Sequence, residues 1–228
     1  MIQFPKGFYF GSATSATQSE GAASIDGKGK NIWDYWYELE PDKFHDRIGP
    51  QDASGFYKHY RKDIRLLKET GHNSCRISIS WSRMFPNGDT VVNPIAVAHY
   101  HKVIDAFHAE GIEVMINLFH FDMPLALQEQ GGWESDHVVD AYVHYARTCF
   151  SLYGNKVARW FTFNEPIVHV ECGYLNGFHY PCRRDMKAAV QVAYHTALAS
   201  AKAVQAFHEC CDGKIGIILN LTTNYPRS

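Results

Sequence analysis

Short apolar runs alternate along this chain with stretches of helical period, and each helical stretch closes on a glycine or on a new apolar run. That alternation restricts the fold more than any other feature, because strands separated by crossover helices must pair in parallel. The first strand opens at Phe8-Tyr9-Phe10-Gly11, and a polar, glycine-rich loop follows to about residue 52. Tyr57, Tyr60, Ile64 and Leu67 then recur at helical spacing before Gly71. Residues 74–80 alternate as a second strand. Asn93-Pro94 starts a helix with Val97, Tyr100, Ile104 and Phe107 inside and Gly111 as its stop.

The third strand is 113–119, followed by a helix with Val139, Tyr142, Ala146 and Phe150 on one face, ending at Gly154. The fourth strand is the run Val157 to Asn164. A long helix over 186–208 places Val190, Ala193, Ala197, Ala201 and Val204 inside, and 214–220 is the fifth strand. Five strands and four helices of this kind form either an open doubly wound sheet or part of a barrel. No G-x-G-x-x-G follows a strand and no G-x-x-x-x-G-K-[ST] occurs, so the dinucleotide and P-loop readings lose their main support.

The strand ends carry the chemistry. The fourth strand runs into Asn164-Glu165-Pro166, where Pro166 ends the ladder and biases Glu165 toward an extended backbone. Polar groups also follow the first strand (Gln18, Glu20), the third (His120, Asp122) and the fifth (Asn220), while Arg76 lies within the second. Parallel barrels build their sites from such groups at the C-terminal mouth.

Glycosidic hydrolysis requires one carboxylic acid for the leaving oxygen and a second carboxylate as nucleophile or base. Glu165 suits the acid, since enclosure by Trp160, Phe161 and Phe163 would raise its pKa. Asn164, Gln18 and His120 offer donors and acceptors to sugar hydroxyls, and Phe121 an apolar face. Arg76 on an apolar strand needs a buried partner, for which a carboxylate is the natural choice. No second Asp or Glu sits convincingly at a strand end.

A 228-residue chain with 46% hydrophobic and 20% charged residues is that of a globular protein, and a formal charge of −2 offers nothing to nucleic acid or a membrane surface. The six cysteines lack metal or disulfide spacing, and no H-E-x-x-H occurs among the thirteen histidines, so no metal is expected. The N-terminus shows no signal-peptide pattern, and no apolar run is long enough to span a bilayer, so a cytoplasmic protein is expected.

Phe8-x-Phe10-Gly11-x-Ala13-Thr14 running to Gln18-x-Glu20-Gly21 resembles the N-terminal signature of the glycoside hydrolase family 1 β-glycosidases. So do Arg76-Ile77-Ser78-Ile79-Ser80-Trp81-Ser82-Arg83, Leu118-x-His120-Phe121-Asp122-x-Pro124, Gly131-Gly132-Trp133 and Thr162-Phe163-Asn164-Glu165-Pro166. These blocks fall in family order across essentially the whole chain.

The resemblance implies a (β/α)8 TIM barrel of which residues 1–228 supply the N-terminal part of a single catalytic domain, about five strands and four helices. It implies retaining hydrolysis without metal or organic cofactor. Glu165 is then acid/base, Gln18, His120 and Asn164 hold the sugar, Phe121 packs beside it, and Arg76 steadies the nucleophile. Thr17 departs from the signature. Phe121, where many β-glucosidases for unphosphorylated sugars have Trp, and the stretch from Pro166 to Pro181 are more similar to bacterial 6-phospho-β-glucosidases.

Family members continue through three further β/α units carrying the nucleophilic Glu and the groups that grip a 6-phosphate. The expected partners are therefore a small glycoside and a C-terminal half of the barrel, with the isolated chain inactive. A β-glucosidase for unphosphorylated sugars and a non-catalytic half-barrel that binds a sugar or a partner chain are the alternatives.

Overall fold

The computed structural model describes residues 3–223, 225 and 226. Its centre is one parallel five-stranded sheet in the order β1 (Gly11–Ala13), β2 (Ser74–Ser78), β3 (Glu113–Phe119), β4 (Arg159–Asn164), β5 (Lys214–Ile218). Spatial order equals chain order, as in one arc of a barrel, whereas a doubly wound sheet reverses its winding. This is a partial α/β barrel.

The helices in chain order are α1 (Ala16–Ser19), α2 (Ile32–Leu39), α3 (Phe56–Glu69), α4 (Trp81–Met84), α5 (Pro94–Ala109), α6 (Leu125–Gln128), α7 (Asp136–Tyr153), α8 (Pro166–Val170) and α9 (Met186–Cys210). The long connections α3, α5, α7 and α9 cover the outer face of the sheet. Each starts or stops where local chemistry dictates: Asn93 accepts from the Ile95 amide under α5, Asp185 accepts from Lys187 and Ala188 under α9, and Gly111 turns left-handed after α5. Ile77, Ile116, Leu118 and Trp160 point outward into the core against Ile104, Phe107, Tyr142 and Phe150. No helix is long and apolar enough to cross a membrane among the described residues.

Three expectations need correction. The first strand lies at Gly11–Ala13, not at Phe8. Phe4, Phe8 and Phe10 instead cluster with one another at the open β1 edge, ring centroids 4.7–5.0 Å apart. Residues 11–52 are not only loop, since α2 lies within them. Its signal was the capping box Asn31-x-x-Asp34, in which each side chain accepts from the other residue's backbone amide.

The inward stripe of α9 is displaced. Val190 and Tyr194 are exposed, while Ala188, Val192, Ala199, Ala203, Ala206 and Phe207 are buried, with α9 packed along α7. Helix α9 is apolar on two faces, and alanine-rich periodicity alone does not distinguish the face that the other helices cover.

The loop carrying α1 is anchored through a buried ion pair. Arg83 Nε donates to Glu20 Oε2 at 3.0 Å, Tyr100 donates its hydroxyl to Glu20 Oε1 at 2.6 Å, and the guanidinium lies 4.1 Å from the Tyr57 ring centroid. Removing one partner strands the other charge in the core. Glu20→Gln is expected to destabilise the fold by about 3–5 kcal/mol, read as a lowered urea midpoint at unchanged slope, whereas Lys202→Ala at an exposed pair should leave the midpoint nearly unmoved.

Candidate active site

The inner face of the arc is set by register. Arg76 on β2 lies level with Met115 on β3, and Met115 with Arg159 on β4. Side chains on this row face the lumen. Toward the C-terminal ends, a register shift between Phe161 and Asn164 lets the β4 chain bury Thr162 and Phe163 in succession and still turn Asn164 inward. Asn164 Oδ1 there accepts from Arg76 Nη1 at 2.6 Å.

The expected carboxylate partner of Arg76 is thus an amide. Burial lowers the Arg76 pKa, and the negative charge of Glu165 opposes that shift, so the acid and the guanidinium sense one another on the same side of the sheet.

Glu165 follows directly. Its amide donates to Ile218 O of β5 at 2.8 Å, tying the end of β4 to the neighbouring strand. The expectation of an extended backbone fails: Glu165 adopts φ 43°, ψ 58°, a left-handed conformation that is strained for a residue with a Cβ. The α-region exclusion before proline concerns right-handed φ/ψ, and the left-handed turn lets α8 start at Pro166 without continuing the ladder.

The apolar enclosure expected from Trp160, Phe161 and Phe163 is reduced, because two of the three turn away. Trp160 faces outward, its ring 5.0 Å from Phe150, and Phe163 packs on Tyr142 at 4.8 Å and Trp133 at 5.3 Å. Glu165 is left half-buried at the rim of the lumen.

Gln18, His120 and Phe121 meet around one open cavity of about 610 Å³, shared with Ser15, Trp33, Phe44 and His179. Gln18 Oε1 accepts from the Ser15 hydroxyl at 2.8 Å, which leaves its amide nitrogen as the free donor. His120 is held neutral: burial, with the Arg76 charge in second place, lowers its pKa to about 4. Phe121 also has a left-handed backbone, φ 67°, and its ring lies parallel to His169 at 6.2 Å.

Arg76, Asn164 and Glu165 do not line this cavity. They form an adjoining group joined to it through the Arg76 field at His120. No Asp or Glu lines the cavity among the described residues. Trp33, Phe44 and His179 were not anticipated. Trp33 and Phe44 came from the segment taken as loop, and His179 from a stretch with no periodicity to place it.

Three imidazoles, those of buried His99 and His169 and half-buried His120, lie far below their usual 6.5, His99 and His120 at about 4 and His169 at about 3, each chiefly through desolvation. Between pH 6.5 and 4 the unfolded chain therefore binds more protons than the folded one, and stability falls as the pH drops through that window. Asp122 acts the other way. Burial raises it to about 6, so the folded chain holds its proton between pH 6 and 3.8. The imidazoles outnumber it. The unfolding free energy, read from denaturant titrations, is expected to fall between pH 6.5 and 4.5 by about 1.4 kcal/mol per pH unit for each net proton, and His169→Asn should flatten the slope.

A family model described as glycosyl hydrolase family 1 matches residues 1–228. The chain is 62% identical over 227 residues to the 6-phospho-beta-glucosidase GmuD of Bacillus subtilis, covering 99% of this chain and 49% of that protein. It is 39% identical over 228 residues to beta-glucosidase A of Acetivibrio thermocellus, covering 100% and 51%. Among solved structures it is similar to the beta-glucosidase from Thermotoga maritima in complex with castanospermine, with a TM-score of 0.94 and 35% identity over 99% of this chain and 51% of that one. The chain spans about half the length of the curated relatives it matches.

Proposed function

The chain belongs to glycosyl hydrolase family 1, and from that membership we propose that residues 1–228 are the acid/base half of a retaining β-glycosidase, one catalytic domain completed by a C-terminal complement. The observation that carries the reading is the Asn164–Glu165 strand end, set beside Arg76 and facing the lumen onto which Gln18 and His120 also open. Glu165 protonates the departing glycosidic oxygen and then, as a carboxylate, takes the proton from the water that releases the sugar. Asn164, while accepting from Arg76, keeps its amide N–H groups as donors for a sugar hydroxyl. His120, neutral near pH 7, can donate from one ring nitrogen and accept at the other. Phe121 offers an apolar surface beside them.

The nucleophile comes from the complement. Glu20 is held by Arg83 and Tyr100, and Asp122 is 1% exposed, so neither carboxylate reaches the cavity. Arg76, paired to an amide and not to an acid, remains able to receive a carboxylate from across the lumen. The open β1 edge with its Phe4, Phe8 and Phe10 cluster supports a closing partner on one side. The exposed Val190, Tyr194 and Leu219 support one on the other.

For the substrate we propose a β-glucoside phosphorylated at O6, supported by the 62% identity to a 6-phospho-beta-glucosidase and by Phe121. Such sugars occur inside cells, which favours a cytoplasmic enzyme. The similarity to relatives named as beta-glucosidases favours the unphosphorylated reading as second choice.

Single-turnover assays of the 228-residue chain on p-nitrophenyl β-glucoside and its 6-phosphate are expected to show no release above background. Co-expression with a C-terminal half taken from a full-length relative should restore turnover, faster on the phosphorylated substrate. Glu165→Gln in the restored enzyme should lower kcat by about 10²–10⁴-fold. Turnover by the chain alone, or an active Glu165→Gln enzyme, would refute the assignment.

A further inference from the structure

We infer that Asp122 is a positioning residue: its carboxylate closes the strained turn that presents His120 and Phe121 to the cavity, and takes no part in chemistry. The presentation role rests on the glycosidase reading above, while the closure of the turn stands without it. Asp122 Oδ1 accepts from the His120 amide at 3.2 Å, across a Phe121 whose φ of 67° is a genuine outlier for a bulky side chain. Such a conformation persists only when its surroundings over-determine it.

Those surroundings are built from the first turn of α2 and the residues just before it. Trp33 Nε1 donates to Phe121 O at 3.0 Å, Ile32 N donates to Met123 O at 2.9 Å, and Leu125 N donates to Lys30 O at 2.9 Å. The strained peptide is thus held at its start by a carboxylate, at its carbonyl by an indole, and at its exit by two strand-like bonds. The segment that supplies them is itself fixed by the buried pair Lys28–Asp34 at 2.5 Å.

Asp122 is sealed from the cavity. It is buried, its Oδ2 has no hydrogen-bond partner, and the charges it senses are Lys28 and Glu20. Burial raises its pKa toward neutrality, and a protonated carboxyl still accepts through its carbonyl oxygen, so the turn needs the acceptor and not the charge. That distinction separates the assignment from a catalytic carboxyl group, which must ionise or transfer a proton and which an amide cannot replace.

The test uses the 228-residue chain without any sugar, by NMR. In Asp122→Asn, which keeps an acceptor, the His120 amide should keep its exchange protection, and the Phe121 Cα shift should keep its left-handed signature. In Asp122→Ala, His120 amide exchange should accelerate by about ten-fold or more, the loss expected for one buried hydrogen bond, and the Phe121 signature should disappear while far-UV circular dichroism is unchanged. Trp33→Phe, which removes the donor to Phe121 O, should move the Phe121 shift in the same direction and serves if the alanine variant does not fold.

Unchanged protection in Asp122→Ala, or equal loss in Asp122→Asn, overturns the inference. In the enzyme completed by a C-terminal half, Asp122→Ala should raise KM about ten-fold with a smaller change in kcat. A failure to restore hydrolysis, with the NMR pattern intact, counts against the glycosidase reading and not against the turn.

Discussion

One hydrogen bond organises the inner surface of this arc. Arg76 on β2 reaches Asn164 on β4, two strands away, and strands two apart are separated by roughly 10 Å. A single side-chain pair bridges that span only on the concave face, where curvature draws the strands' side chains together. The Arg76–Asn164 contact is therefore evidence of curvature as much as of polarity. It fixes where Glu165 emerges, because Glu165 is the next residue and its amide is already committed to Ile218 of β5. The site's electrostatics follow from the same placement. A guanidinium inside the lumen disfavours a second positive charge, which helps keep His120 neutral, and its own desolvation is opposed by Glu165.

The succession of five strands and four crossover helices was legible because each carries its own punctuation, whereas that punctuation left their spatial order open. Asn93-Pro94 and Gly111 bound one helix as firmly in the sequence as in the structure. The polar residues at the strand ends were legible for a simpler reason: Arg76, His120, Asn164 and Glu165 interrupt apolar runs, and burial gives such interruptions a purpose.

What was not legible is conformational or non-local. Nothing in Phe-Asn-Glu-Pro announces a left-handed Glu165. The register shift that turns Phe163 outward, and so reduces the expected apolar wall, depends on pairing with β5. Phe163 belongs to a cluster with Trp133 and Tyr142 that no local period describes. The exposed stripe of α9 shows the same limit from the other side. Val190 and Tyr194 are apolar for a neighbour, and periodicity cannot tell which neighbour.

Two of the left-handed non-glycine residues, Phe121 and Glu165, lie just past the ends of the adjacent strands β3 and β4. Each such residue costs on the order of 1–3 kcal/mol, a large share of the stability of any domain. The scaffold offsets that strain nearby. Phe121 is held by Trp33 and Asp122, and Glu165 by the bond to β5. The holds differ in what they depend on. The Phe121 turn is secured by Asp122 and by the first turn of α2, both away from the sheet edges. Glu165 is secured through β5, an edge strand of the described sheet in which no residue is buried. The Phe121 turn is thus held within this arc, whereas the hold on Glu165 runs through an edge strand with one open side. If Glu165 is the proton donor proposed above, closing the barrel would do more than bring a nucleophile across the lumen. A further strand against β5 would also stiffen the support on which Glu165 is carried.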